Sequence, residues 1–269
     1  MGVKIILSDI DGTFLTDDKK VTALTAQAAK SIVEKGLHLV LVSARMPEAI
    51  YPITDGIGLP RLPIISYSGG FVLTESEDVL YNKKMPLDDT KKILAEIDRR
   101  WVGICINFYS GRNWYVRTVE YNVQHEMKIT QAKAEVADFN KLLAENILPN
   151  KILIICTPPT CKEMESTLSE LFPRLNVVRS APYLLEIMDK SVSKAVGIEI
   201  LLKHYNLTVD DAIAFGDNYN DIEMLQYIPH SVAMKNAPDK VKALAHAVTD
   251  SNEDSGIYTY LLKQGIINA

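Results

Sequence analysis

Apolar runs without alternation, set between helical patterns, decide the fold class of this chain. VKIIL (3–7), LHLVLVSAR (37–45) and PIISYSGG (63–70) are each mainly apolar, with unbroken apolar stretches at Ile5–Leu7, Leu39–Val42 and Pro63–Ile65 that lead into polar residues. Strands of that composition are buried on both faces, and the intervening helices cover them. VTALTAQAAKSIVEKG (21–36) has the spacing of such a helix, with Gly36 at its end. The pattern predicts a parallel sheet with helices on both faces.

From about residue 80 the texture changes. DTKKILAEIDRRW (89–101) is helical, but GICINFYSGRNWYVRT (103–118) has the form of a hairpin with a turn at SGRN. A helix at VADFNKLLAEN, a strand at KILIICT, a helix at CKEMESTLSELF and strands at LNVVRSA and YLLEIM follow. The first texture then returns in SKAVGIEILLKHYN (helix), DAIAFGD (strand), NDIEMLQYI (helix), HSVAM (strand) and APDKVKALAHAV (helix). The fold class expected is α/β: a Rossmann-like parallel-sheet core of residues 1–81 and 189–269, interrupted by an inserted α+β cap domain at 82–188.

The chain has 269 residues, 47% of them apolar and 23% charged, enough for sizeable cores. A net charge of −5 argues against a general nucleic-acid or membrane-surface binder. No run has the length of a membrane span, and MGVKIILSD lacks a signal-peptide layout, so a cytoplasmic protein is expected. Cys105, Cys156 and Cys161 are irregularly placed and are expected to be free thiols acting as small hydrophobes. The five histidines show no ligand spacing.

Three core strands end in reactive residues: SDIDGT (8–13), VSAR (42–45) and GDNYND (216–221). In open parallel sheets ligands sit beyond the carboxyl ends of the strands, so these stretches are expected to meet there. Asp9 and Asp11, two apart in extended chain, share a side. Gly12 permits a tight turn whose amides approach an anion. With Asp217 added, the carboxylates repel one another unless a cation is present. An all-oxygen donor set favours Mg²⁺, and Lys194 is a candidate second positive charge. A carboxylate nucleophile can accept a phosphoryl group. A second acid can protonate the leaving alcohol and then activate water, while Ser43, Lys194 and backbone amides stabilise the charge.

On these motifs the whole chain resembles the haloacid dehalogenase-like phosphatases, and its insert and tail (AMKNAPDKVKALAHAVTDSNEDSGI) resemble their Cof-type branch. The resemblance implies Asp9 as nucleophile, Asp11 as general acid/base, and Ser43 as phosphoryl ligand in the stretch Ser43–Ala44–Arg45. It implies Lys194 as the third-motif lysine and Asp217 as a Mg²⁺ ligand beside Asp9, with Asp11 reaching the metal through its main-chain carbonyl. Asn220 would contact phosphate or order its surroundings, and Asp221 and Asn218 would support the metal shell. The implied activity is Mg²⁺-dependent hydrolysis of a small phosphorylated metabolite, with sugar phosphates common in the branch.

The chain departs from that pattern at Ala44 where Gly is common, at YSGG where Asn-Gly is common, and at Lys235 where Gly is common. Arg45 is expected either to meet substrate or to cap the following loop. Asn220 and Asp221 also suit a helix N-terminus. Asp17 and Asp18 are expected to be turn residues outside the metal cluster. The aromatics of the insert are expected to pack its sheet, and Lys151, Arg112 and Glu186 to be surface charges. The competing functions are a phosphotransferase or sugar phosphomutase on the same scaffold, a phospho-accepting receiver and a sugar-phosphate sensor.

Overall fold

The computed structural model describes residues 2–268. The chain divides into two compact units, one running to Tyr81 and resuming at Ser193, the other Asn82–Val192.

The first segment runs β1 (Ile5–Ser8), α1 (Ala23–Glu34), β2 (His38–Val42), α2 (Tyr51–Asp55), β3 (Ile64–Ser66), β4 (Phe71–Leu73) and β5 (Val79–Asn82). The inserted segment adds α3 (Leu87–Arg100), β6 (Cys105–Ser110), β7 (Asn113–Val116), α4 (Tyr121–Thr130) and β8 (Ala134–Val136). It continues through α5 (Phe139–Ala144), β9 (Lys151–Ile155), α6 (Pro158–Leu171), β10 (Leu175–Ala181) and β11 (Leu184–Asp189). The second core segment is α7 (Lys194–His204), β12 (Ala212–Gly216), α8 (Ile222–Tyr227), β13 (His230–Ala233), α9 (Asp239–Lys242), β14 (Ala247–Val248) and α10 (Gly256–Lys263).

The core sheet has the order β14-β13-β12-β1-β2-β3-β4-β5. It is parallel from β14 to β3, and β4 runs antiparallel to β3. β1 lies between β2 and β12, with Ser8 level with Leu41 on one side and Phe215 on the other. The residues that follow, Asp9, Ser43 and Asp217, therefore leave the sheet at one edge. Ile5, Leu7, Val40, Val42, Ile65, Ala212 and Ala214 pack on Ile198, Leu201 and Leu202 of α7.

Local chemistry sets where the helices start. Thr22 caps α1 by accepting from the Thr25 N–H, and Ser193 caps α7 by accepting from the Val196 N–H. Gly197 lets α7 approach the sheet, since a Cβ there would lie 2.6 Å from Ile65 Cγ2. That approach brings Lys194, the first residue of α7, to the edge where Asp9 and Asp217 leave the sheet.

The stretch APDKVKALAHAV forms no single helix. α9 stops at Lys242, and Ala247 pairs with Val232 to extend the sheet. Burial of Val241 and the strand pairing outweigh the helical spacing.

The inserted unit has its own sheet, ordered β10-β11-β9-β6-β7-β8. Ile106, Phe108, Ile152, Ile154, Leu185 and Ile187 share a core with residues of α3 and α6. On the opposite parity, Asn107 is fully buried, accepting from Trp114 Nε1 at 3.0 Å and donating to the Leu153 carbonyl at 3.2 Å. Lys151 and Glu186 are buried in this unit, 3.6 Å apart, and are not the surface charges expected. The expectation of three free thiols is also corrected. Cys156 and Cys161 form a disulfide, because the end of β9 and the first turn of α6 bring their Cα atoms to 5.8 Å. Cys105 stays free and buried, and burial pushes its thiol up to about 11. Among the described residues no helix is long and apolar enough to cross a membrane.

Candidate active site

The loop after β1 carries the acids. Asp9 is buried, and its Oδ1 lies 2.5 Å from Lys194 Nζ. The same ammonium is 2.5 Å from Asp221 Oδ1 and 3.3 Å from the Val42 carbonyl. Lys194 is 1% exposed, so its charge is carried wholly by these oxygens. The other Asp221 oxygen accepts the N–H groups of Asp217 (2.9 Å) and Asn218 (3.0 Å), and Asp221 is fully buried. Asp221 thus links the lysine to the backbone that presents Asp217, with both of its oxygens engaged.

Gly12 has φ +86°, and a Cβ there would lie 2.4 Å from Asp217 Oδ2. Only glycine suits both the left-handed turn and that approach. Thr13 Oγ1 donates to Asp217 Oδ1 at 2.7 Å. One oxygen each from Asp9, Asp217 and Asp221 lies within 4.8 Å of the others, a cluster able to hold a metal ion. Burial, followed by repulsion from Asp221, raises Asp9 well above the ordinary carboxylate range against the pull of Lys194. Burial also raises Asp217, to about 6; the Thr13 hydrogen bond opposes this shift and Asp221 adds to it. These groups fit a hard divalent cation: the donors are all oxygen, and a bound cation relieves the repulsion.

Asp11 turns to a different partner. Arg45 Nε donates to its Oδ2 at 2.9 Å, Arg45 Nη2 to its Oδ1 at 2.7 Å, and Lys19 Nζ to its Oδ1 at 2.8 Å. Burial works to raise the Asp11 carboxyl, but the hydrogen bonds and charge of Arg45, joined by Lys19, bring it down to about 2. In this arrangement Asp11 is an ionised carboxylate, the form that serves as a base toward water rather than the proton carrier. The Arg45 guanidinium also meets the Ala49 carbonyl at 3.5 Å, so pairing and loop support coexist.

Ser43 is buried at the end of β2, its Oγ accepting from the Arg45 N–H at 3.2 Å. The turn after β3 holds this loop: Ser68 N–H donates to Ser43 O at 2.9 Å and Tyr67 N–H to Arg45 O at 3.2 Å. Tyr67 and Ser68 both occupy left-handed backbone, with φ of 49° and 52°. Both belong to the stretch YSGG, and bulky aromatic side chains such as that of Tyr67 are rare in that backbone region. Ala44 follows Ser43 on the same loop. Asn218 caps the turn Tyr219–Asp221 by accepting from the Tyr219 N–H at 2.8 Å, while Asn220 on that turn is exposed. Thr13, the last residue of SDIDGT, and Lys19, six residues further on, are partners that residue order does not reveal, because their contacts depend on how the loop closes.

With this geometry in view, the chain matches the family model for haloacid dehalogenase-like hydrolase over residues 6–261 and belongs to that family, in its Cof-type branch. It is an enzyme of the phosphatase class. A Haemophilus influenzae relative named "Putative phosphatase" is 30% identical over 258 residues, covering 96% of each chain. The Bacillus subtilis 5-amino-6-(5-phospho-D-ribitylamino)uracil phosphatase YitU is 27% identical over 270 residues, covering 96% of each. The crystal structure of TM0651 from Thermotoga maritima is similar with a TM-score of 0.87 at 27% identity, covering 100% of this chain and 98% of that one.

Proposed function

We propose that this phosphatase is Mg²⁺-dependent and hydrolyses a small phosphorylated metabolite, a sugar phosphate by preference, through a phospho-aspartyl intermediate on Asp9. The observation that carries the reading is the shared Lys194 ammonium, which seats the Asp9 carboxylate beside Asp217 at the sheet edge. The carboxylates of Asp9 and Asp217 and the main-chain carbonyl of Asp11 would hold Mg²⁺, with Asp221 and Asn218 supporting them. Bound Mg²⁺ supplies charge stabilisation at the phosphoryl oxygens and favours ionised Asp9.

Asp9 then attacks phosphorus through a carboxylate oxygen, and the bond from phosphorus to the ester oxygen breaks. Asp11, once it has left Arg45 and taken a proton, gives that proton to the departing alcohol. As a carboxylate again, it takes a proton from the water that attacks the acyl phosphate, releasing phosphate and free Asp9. Ser43 Oγ, the amides at Gly12 and Ala44, Arg45, Lys194 and Asn220 surround the transferred group. The YitU substrate, a phosphorylated ribityl compound, supports the polyol-phosphate class.

The test is release of inorganic phosphate from p-nitrophenyl phosphate and a panel of sugar phosphates. Wild type with Mg²⁺ turns over, EDTA stops it, and Asp9→Asn is inactive. Turnover by Asp9→Asn that is indifferent to EDTA would overturn the mechanism.

A further inference from the structure

The loop that carries the acids is anchored from a distant part of the chain. Asn236 Nδ2 donates to the Gly12 carbonyl at 2.8 Å. Asn236 Oδ1 accepts the Asn252 N–H at 3.2 Å. The two N–H bonds of the Asn252 amide reach the Leu15 carbonyl at 3.0 Å and Asp17 Oδ1 at 3.1 Å. Glu253 Oε1 accepts the Asp17 N–H at 2.7 Å. Asn252 is buried, and its bond to the Leu15 carbonyl is made where water does not compete. Asp17, which has no place in the metal cluster, is thus an attachment point for the tail.

The anchored residues are those against which Asp217 is seated. Gly12 is in van der Waals contact with its carboxylate, and Thr13 donates to it. We propose that Asn236 and Asn252 are positioning residues of the active site, holding the carbonyls of Gly12 and Leu15 so that Asp217 is presented beside Asp9. The catalytic consequence rests on the phosphatase reading above; the anchoring itself does not. Groups that support metal-binding carboxylates typically change affinity or activity 10- to 100-fold when removed. A shift of the loop by about 1 Å has a similar effect on reaction geometry.

The test compares Asn236→Ala and Asn252→Ala with Thr54→Val. Thr54 makes a buried hydrogen bond to the Tyr51 carbonyl on α2, away from the anchored loop. Amide hydrogen exchange of residues 12–17 is measured with calorimetric Mg²⁺ affinity and with kcat and KM on p-nitrophenyl phosphate. Both Asn variants are expected to exchange faster at 12–17, with α7 unchanged. They should also bind Mg²⁺ and turn over about 10- to 100-fold less well, KM changing little. Thr54→Val should lower the melting temperature without these effects. Exchange at 12–17 equal to wild type, or faster exchange with Mg²⁺ affinity and kcat unchanged, would overturn the proposal. Asn236 is exposed, so its variant keeps the test decisive if Asn252→Ala fails to fold. If wild type releases no phosphate, the functional reading fails, while exchange and Mg²⁺ affinity still judge the anchor.

Discussion

Arg45 spans both carboxylate oxygens of Asp11, Nε at 2.9 Å from Oδ2 and Nη2 at 2.7 Å from Oδ1, joining the loop after β2 to the loop after β1. Asp11 lies at about 2, below its ordinary 3.8, so its ionised form stabilises the fold above pH 4 and that contribution fades as pH falls toward 2. The full shift corresponds to about 2.4 kcal/mol. With the Asp11 side chain 39% exposed, screening reduces this to about 1 kcal/mol. Arg45→Met is therefore expected to destabilise the protein by about 1 kcal/mol at pH 7 and by roughly half that at pH 3. Urea denaturation at the two pH values, without metal, checks the sign; a difference that grows on acidification would contradict it.

Lys194→Met leaves Asp221 and Asp9 buried without their counter-ion. Removing one partner of a buried pair typically destabilises by about 3–5 kcal/mol. Combining Lys194→Met with Asp221→Asn should recover part of that loss, because the stranded charge disappears with its partner. Strict additivity in a double-mutant cycle would show that the two residues do not act as a unit.

Asp9→Asn should lose turnover yet gain stability in EDTA. Burial and Asp221 make ionised Asp9 unfavourable, so at pH 7 the neutral amide relieves repulsion that the carboxylate sustains. A gain of about 1 kcal/mol corresponds to a rise of about 2–4 °C in melting temperature. Mg²⁺ should reverse the ranking by stabilising wild type more strongly. Equal Mg²⁺ shifts in both proteins would remove Asp9 from the metal site.

Metal affinity should depend on pH through Asp217. Its carboxyl is raised to about 6, and a ligand must be ionised to bind. Calorimetry should find Mg²⁺ bound at least about tenfold more weakly at pH 5 than at pH 7.5. Thr13→Val removes a hydrogen bond that favours the ionised form, so the transition should move to higher pH. A flat profile over this range would count against Asp217 as a ligand.

The disulfide closes a short loop of six residues from Cys156 to Cys161. Loop-closure entropy for that length corresponds to about 2 kcal/mol. Reductant, or Cys156→Ser, should lower stability by about that amount. Alkylation of the denatured protein should label Cys105 alone before reduction and all three cysteines after it.

Residue order made the strand ends legible, because an apolar run that stops at Asp9, Ser43 or Asp217 cannot continue into the core. The helix starting at Lys194 was legible for the same reason, with Ser193 in the capping position. The pairings between loops were not. Whether Arg45 meets Asp11, or Asn252 meets Leu15 and Asp17, depends on contacts across 34 and more than 230 residues, which no local pattern encodes. The disulfide escaped because two cysteines five apart reach bonding distance only when a strand turns directly into a helix. α4 escaped because it buries only Val123 and so shows little amphipathic spacing.

The placement of β1 between β2 and β12 has a consequence for synthesis. β2 follows within some 30 residues, but β12 and Lys194 are translated only after the whole inserted unit. At about 5–20 residues per second, Asp9 waits on the order of 10 s or more for its lysine. Until then one flank of the central strand is an open edge, and Asp9 is without the lysine that pairs with it. Cutting the message between Arg45 and Lys194 therefore yields a chain that holds the proposed nucleophile without Lys194, Asp217 or Asp221.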